Sequence, residues 1–178
     1  ADPRGMASIG DDGHSLGDRN APTASYAAFT PPFHRNKEGK WVGGQFWDGR
    51  ASTLEDQAGG PPLNPVEMAM PDKQSVVDRL KEDPVYLDSF ANLFDDDVLE
   101  NAETGYAAMT KALAAFERTG IFAPFDSRYD RFLRGEIKLT NEEELGRVLF
   151  FSQQFTNCNL CHQLKSSAID PQETFSNY

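Results

Sequence analysis

A chain of 178 residues is long enough to bury a substantial core, in one domain or in two small ones. Its 28 Asp and Glu residues outnumber 17 Lys and Arg residues, and the net charge of −11 argues against nucleic acid or an anionic membrane surface as a partner. No apolar run approaches the length of a membrane span.

The first part of the chain predicts loop followed by a short helix. Residues 1–45 are rich in Gly, Asp, Pro and Asn and show little periodicity, which is typical of a long ordered loop. Ser52 and Glu55 fit a capping box that opens a helix reaching to about Ala58. Gly59 and the residues after it end that helix.

Three helices are predicted to follow in the middle of the chain. Asp72 caps the first, and Asp83 followed by Pro84 starts the second. The third and longest runs from about Asp97 to Arg118, with apolar residues at spacings of three and four. The side chains expected to face the core are Val76, Val77, Leu80, Leu87, Phe90, Phe94, Leu99, Ala102, Tyr106, Met109, Leu113 and Phe116.

The last predicted helix begins with a second capping box, formed by Thr140 and Glu143. Its expected inward-facing residues are Leu145, Val148 and Leu149. No convincing alternating strand is present, so the sequence predicts a mainly α fold with long ordered loops. We place a domain boundary between residues 137 and 138.

Both cysteines of the chain lie near its end, as Cys158 and Cys161, with His162 directly behind them. This spacing matches the attachment site for c-type haem, in which both thiols form thioethers and the histidine is the proximal iron ligand. A redox dithiol would favour a strand–turn–helix context, and zinc would need more ligands than the distant His14 and His34. Covalent haem is attached outside the bacterial cytoplasmic membrane, so we expect a periplasmic protein.

Several longer segments occur in a distinctive order: LGDRNAPT (16–23), QFWDGRASTLEDQAGGPPLNPVEM (45–68), ALAAFERT (112–119), FDSRYDRFLRGE (125–136), and LTNEEELGRVLFF leading into CNLCH. Together they resemble the bacterial di-haem cytochrome c peroxidases, a family that includes MauG-type enzymes. The resemblance implies two cytochrome c-like haem domains side by side. Residues 1–137 would be the remainder of the N-terminal, peroxidatic domain, and 138–178 the start of the C-terminal, electron-transfer domain.

The resemblance also implies that parts of the family pattern lie outside this sequence. The first Cys-x-x-Cys-His is expected before Ala1, and the methionine on the distal side of the second haem is expected after Tyr178. We therefore expect an internal fragment of a longer protein, in which Cys158, Cys161 and His162 hold the electron-entry haem.

Three candidate site residues follow from the resemblance. Glu67 matches the acid–base catalyst, and Gln57 matches the amide that orients bound peroxide. Peroxide cleavage needs a proton to move between its two oxygens, which a carboxylate within reach of both can achieve. Trp47 matches the tryptophan between the two haems, where it could assist electron transfer or simply fill space.

Three further residues have weaker assignments. His14 lies where the family carries a loop histidine that can ligate the peroxidatic iron, and a solvated loop histidine is the alternative. Asn20 matches an asparagine that helps to bind calcium, although one oxygen is far short of the usual six to eight ligands, and turn formation is its alternative. Arg50 could hold a haem propionate or pair with Asp48.

The sequence thus predicts a periplasmic enzyme that reduces hydrogen peroxide to water with electrons from a small cytochrome c or cupredoxin. The complete enzyme would hold two haems c, one attached within this chain, and calcium and a homodimer are compatible with the resemblance. A non-catalytic c-type electron-transfer module and a MauG-type oxidase acting on a partner protein are the alternatives. The segment QAGGPPLNPVEM favours an enzyme, because a carrier needs no Gln and Glu beside an open iron.

Overall fold

The computed structural model describes residues 5–37 and 39–161, in which helices are the main regular elements. The α-helices described are α1 (Leu54–Ala58), α2 (Lys73–Lys81), α3 (Pro84–Leu93), α4 (Ala102–Glu117), α5 (Arg128–Leu133), α6 (Asn141–Phe151) and α7 (Cys158–Cys161). Short 3₁₀ turns lie at Ala27–Phe29, Pro61–Leu63, Val98–Glu100 and Gly120–Phe122. The prediction of a mainly α fold with long loops is confirmed.

A small hairpin interrupts the long N-terminal loop. Its strands, β1 (His34–Arg35) and β2 (Trp41–Val42), pair antiparallel with His34 opposite Val42. Trp41 stacks on the ring of Phe33 at a centroid distance of 5.0 Å. The pairing is too short to have been visible as an alternating pattern in the sequence.

The chain divides into two compact units, Ala1–Phe122 and Ala123–Tyr178. This division lies earlier than the predicted boundary between residues 137 and 138. The reason is that α5 contacts α6, which follows it in the chain. Arg128 pairs with Glu143 of α6 at 2.6 Å, and Arg147 of α6 lies over the ring of Phe132. The assignment of the two parts to two haem domains stays a prediction.

The predicted N-caps of α2, α3 and α6, Asp72, Asp83 and Thr140, are confirmed by side-chain bonds to backbone N–H groups. The cap of α1 was predicted one residue too early. Thr53 accepts a hydrogen bond from the Asp56 N–H, and the Asp56 carboxylate accepts one from the Thr53 N–H. Thr53 and Asp56 therefore form the box in place of Ser52 and Glu55, because aspartate can close it as glutamate does.

Helix α4 starts later than predicted. The Asn101 side chain accepts hydrogen bonds from the N–H groups of Glu103 and Thr104, and the preceding residues form a separate 3₁₀ turn. Since Asn is a strong N-cap residue, the helix begins at Ala102 and not near Asp97.

The main hydrophobic core of the first unit is formed by α2, α3, α4 and the 3₁₀ turn before α4. Its buried members are Val76, Val77, Phe90, Val98, Leu99, Tyr106, Ala108 and Met109. Gly105 permits the close approach of α4 to α2, because a Cβ there would lie 2.9 Å from a methyl carbon of the fully buried Val77.

Several apolar residues predicted to face inward are instead exposed in the part of the chain that the structure describes. They are Leu87, Leu113, Phe116, Leu145, Val148 and Leu149. Helical spacing shows which side chains share a face, but it does not show whether another element covers that face. Among the described residues, no helix is long and apolar enough to cross a membrane.

Gly105→Ala tests the contact between α2 and α4. Alanine favours the helix by about 1 kcal/mol, but overpacking a filled core costs about 1–3 kcal/mol, so we expect a lower free energy of unfolding. Gly146→Ala in α6 is the matched control, because no atom lies within 4 Å of its added Cβ and the helix gains without a clash. Urea unfolding of the full-length protein measures both, and an equal stabilisation by the two changes would contradict the packing described.

Candidate functional site

Helix α1 is bonded to α4 near both of its ends. The hydroxyl of Tyr106 donates a hydrogen bond of 2.7 Å to the carbonyl oxygen of Gly59, directly after α1. At the other end, the guanidinium of Arg118 donates two bonds, of 2.6 and 3.0 Å, to the Glu55 carboxylate. These bonds fix the position of Gln57, which lies between the two bonded residues.

The Arg118 guanidinium lowers the pKa of the Glu55 carboxyl to about 2, although partial burial acts in the opposite direction. Bidentate pairing of this kind is stronger than an ordinary neutral hydrogen bond. Glu55 is therefore charged over the whole neutral range, and its role is to hold α1 in place.

The chain that leaves α1 folds back into a tight turn carrying Glu67. The Glu67 N–H donates to the carbonyl oxygen of Asn64 at 3.0 Å, and the Met68 N–H donates to that of Pro61 at 3.3 Å. The turn is thus bonded to the 3₁₀ turn Pro61–Leu63, which follows α1 closely. Fixing the end of α1 therefore also restricts where Glu67 can lie.

Trp47 lies on a second tight turn, closed by a hydrogen bond of 2.7 Å from the Gln45 N–H to the Ala51 carbonyl oxygen. Phe46 has a φ of 63°, a conformation that bulky residues rarely adopt. Its ring is held by the Arg50 guanidinium, which lies 3.9 Å from the ring centroid. The indole N–H of Trp47 donates a bond of 2.7 Å to the carbonyl oxygen of Asn20.

These segments line a cavity of about 490 Å³ within the first unit. Five of the residues singled out from the sequence line it: Asn20, Trp47, Arg50, Gln57 and Glu67. Val66, Met68 and Arg19 are among the other residues that line it. The size and mixed lining are those of a small-molecule or cofactor site.

Gln57 and Glu67 are half-buried, and neither side chain forms a hydrogen bond with another described residue. Within residues 5–37 and 39–161, no donor is hydrogen-bonded to the Glu67 carboxylate, and the Gln57 side-chain amide has no hydrogen-bond partner. Both groups are therefore available to bind a ligand in the cavity.

His14 is not among the residues that line the cavity. Its side chain is 82% exposed, and its Nδ1 lies 2.9 Å from the carbonyl oxygen of Asp12. The loop that carries it is nevertheless bonded to the Glu67 turn, because the Asp11 N–H donates 2.7 Å to the Glu67 carbonyl oxygen. Iron ligation by His14 stays a prediction.

Asn20 is exposed and contributes its backbone carbonyl to Trp47. No group of three or more His, Cys, Asp or Glu side chains suited to a metal ion occurs among the described residues. A carbonyl or side-chain amide of Asn20 suits calcium chemically, but it supplies only a small part of the required coordination. The calcium site therefore stays a prediction.

The thiol pair lies in the second unit, on α7. Asn157, with a φ of 53°, bonds its N–H to the Ser152 carbonyl oxygen and redirects the chain from α6 into α7. Cys158 is a half-buried free thiol at the first position of that helix, and Cys161 follows three positions later, one turn further on. Two cysteines at this helical spacing fit covalent haem attachment. His162 lies outside the described residues.

A pair of cysteines on a helix of the second unit and a cavity of mixed lining in the first are the features expected of a c-type haem protein with a small-molecule site. The family model for di-haem cytochrome c peroxidases (CCP_MauG) matches residues 1–138. The methylamine utilization protein MauG of Paracoccus denitrificans is 52% identical over 182 residues, which cover 99% of this chain and 46% of that protein. The Escherichia coli cytochrome c peroxidase Ccp is 39% identical over 153 residues, covering 84% and 28%.

A solved structure gives the same result. The diheme peroxidase BthA of Burkholderia thailandensis superimposes with a TM-score of 0.88 at 29% identity, covering 96% of this chain and 41% of that one. The chain belongs to the di-haem cytochrome c peroxidase family. It spans less than half the length of these relatives.

Sequence reasoning missed the residues that hold the site together. Tyr106 and Gly59 are 47 residues apart, and Arg118 and Glu55 are 63 apart. Tyr106 was expected in the core, and its ring is there, but nothing in the helical spacing indicated the bond made by its hydroxyl. Pairings over such separations leave no local signal.

The Glu55–Arg118 pair predicts a pH dependence of stability. The carboxyl has a pKa of about 2 in the folded chain against an ordinary 4.5, so the pair stabilises the fold fully above the ordinary value. That contribution is lost as the pH falls from about 4.5 towards 2. We expect Glu55→Gln to unfold more readily at neutral pH and to lose less stability on acidification.

Arg118→Gln should give the same shallower curve, since both changes remove the ion pair. Urea unfolding across this pH range measures both variants. Curves parallel to that of the wild-type protein would show that the pair contributes no pH-dependent stability.

Proposed function

We propose that the full-length protein reduces hydrogen peroxide to water with electrons from a small periplasmic cytochrome c or cupredoxin. One observation supports this most directly: Glu67 and Gln57 line the same cavity with no competing partner among the described residues. A single-haem carrier would have no use for an unbonded carboxylate and an unbonded amide that line one cavity.

The bound haem would supply the iron on which peroxide is reduced and the electrons needed to reduce it. In this proposal the Glu67 carboxylate accepts a proton from one peroxide oxygen and returns it to the other, so that water leaves instead of hydroxide. The Gln57 side chain donates and accepts hydrogen bonds and so orients the substrate beside Glu67. The wall beside Glu67 also contains the apolar side chains Val66 and Met68.

Electron delivery is proposed to begin at the haem of Cys158, Cys161 and His162 and to continue past Trp47. The indole ring of Trp47 lines the cavity and is held by a hydrogen bond of 2.7 Å. A polarisable ring in a fixed position is suited to assisting electron transfer. Asn20, which accepts that bond, is also the residue proposed to contribute to a calcium site.

Glu67→Gln tests the proton-transfer role. The change keeps the shape of the side chain and removes its base, and general acid–base catalysis typically contributes roughly 10²–10⁴-fold. We expect peroxidase kcat to fall by about this factor in the full-length protein, with haem spectra and reduction by the donor unchanged. Steady-state peroxide consumption measures the effect.

Glu82→Gln is the matched control, because Glu82 is an exposed residue that pairs with Arg79 and does not line the cavity. Its kcat should equal that of the wild-type protein. A Glu67→Gln enzyme that turned over within a few-fold of wild type would remove Glu67 from the mechanism.

Covalent haem at Cys158 and Cys161 is tested by replacing both with serine. Each thioether needs a thiol, so the intact mass of the full-length double variant should be lower by one haem, and haem staining should weaken. His162→Ala should retain the haem but change the spin state and reduction potential of its iron. A double variant with the full wild-type haem content would contradict attachment at this pair.

The MauG-type alternative, oxidation of a partner protein, is favoured by the 52% identity to the Paracoccus protein, against 39% to the Escherichia coli peroxidase. A peroxidase would consume peroxide rapidly with a reduced cytochrome c or cupredoxin as donor. The alternative predicts slow turnover with these donors and a peroxide-dependent mass change in a partner protein.

A further inference from the structure

Two adjacent links join the loop of residues 19–20 to the turn that carries Trp47. Arg19 donates a bond of 2.7 Å from Nη1 to Oδ2 of Asp48, and the Trp47 indole N–H donates one of 2.7 Å to the Asn20 carbonyl oxygen. The first donor, Arg19, lies on the loop, and the second donor, Trp47, lies on the turn. One hydrogen bond mainly fixes a distance, whereas two on neighbouring residues also fix an orientation.

Packing alone does not hold the Trp47 ring. Its relative exposure is 47%, so nearly half of its surface is not covered by described residues. Its direction therefore depends strongly on the acceptor supplied by Asn20. That acceptor is a backbone carbonyl, which can point at the indole only while the loop of residues 19–20 keeps its place.

Asp48 is well placed to maintain that loop, because it is itself fixed within the Trp47 turn. Arg50 donates to both carboxylate oxygens of Asp48, at 3.0 and 3.2 Å, and the Arg50 N–H donates at 3.2 Å. Gly49, at a φ of 69°, forms the bend that brings Arg50 back to Asp48, and a Cβ there would lie 2.7 Å from the Phe33 ring.

The Asp48 carboxyl is ionised at neutral pH. Desolvation acts to raise the pKa of its carboxyl, but the hydrogen bonds from Arg19 and Arg50 outweigh it and bring the pKa to about 2. The bridge between the two guanidinium groups is therefore charge-assisted at neutral pH, which shortens and strengthens its bonds. The pairs are partly exposed, so their effect is expected on orientation more than on overall stability.

We propose that Asp48 is a positioning residue: through Arg19 it holds the Asn20 carbonyl against the Trp47 indole N–H, and so it fixes the ring that lines the cavity. The use of that ring in electron transfer rests on the proposed function. The positioning of the ring does not, and the two parts are measured separately.

Ultraviolet resonance Raman spectroscopy of the full-length holoprotein tests the positioning. Tryptophan has a band that reports hydrogen bonding of the indole N–H, and subtracting the spectrum of Trp47→Phe isolates the signal of Trp47. We expect Asp48→Asn and Arg19→Gln each to shift this band towards that of a free indole. The double variant should shift no further than either single variant, because both act through one bond.

Two controls sharpen the result. Arg50→Gln should give a smaller shift, since it leaves the Arg19–Asp48 bond in place, and Glu82→Gln, which removes an ion pair distant in sequence, should give none. A wild-type band in Asp48→Asn would overturn the proposal. A shift in Asp48→Asn with a wild-type band in Arg19→Gln would overturn it equally, because the link through Arg19 would then be absent.

Stopped-flow reduction measures the second part. If Trp47 assists transfer between the haems, Asp48→Asn should slow that step towards the rate of Trp47→Ala, while peroxide binding is unchanged. A shifted indole band with an unchanged transfer rate would support the positioning by Asp48 and would contradict the electron-transfer role of Trp47.

Discussion

The attachment of α1 to α4 is the constraint on which the cavity depends. The Tyr106 ring is buried in the core, while its hydroxyl is bonded to the Gly59 carbonyl oxygen at the end of α1. Gln57 precedes that point closely, and the turn with Glu67 follows it. The segment that carries Gln57 and Glu67 is therefore anchored to α4 through Gly59. Because α4 is packed into the core and well-packed cores resist displacement, both side chains are held in place.

Local signals were sufficient for much of the fold. Asp72, Asp83 and Thr140 were recognisable as caps because an N-cap bonds only to residues two or three positions away. The sequence predicts Ser52 as the N-cap of α1, whereas Thr53 is the cap, because two adjacent hydroxyl residues match the N-cap pattern equally well. The exposed face of α6 was not predictable, because periodicity carries no information on what covers a face.

The candidate site was located by resemblance to a family, and the structure adds how its parts are brought together. Trp47, Gln57 and Glu67 share a cavity, but the bonds that place them involve Arg19, Arg118 and Tyr106. The partners of these three lie 29, 63 and 47 residues away in sequence. Only the folded chain reveals such pairs, because their spacing follows no helical or strand period.

The two glutamates of this region show how environment separates structural from chemical roles. Glu55 is paired with Arg118, which lowers the pKa of its carboxyl to about 2 and makes it a poor proton carrier near neutral pH. Glu67 has no such partner among the described residues, and its side chain lines the cavity. A carboxylate bound by arginine holds helices together, whereas an unbonded one can accept and release a proton. The fold assigns the strong pair to the scaffold and leaves the Glu67 carboxylate without a bonded arginine among the described residues.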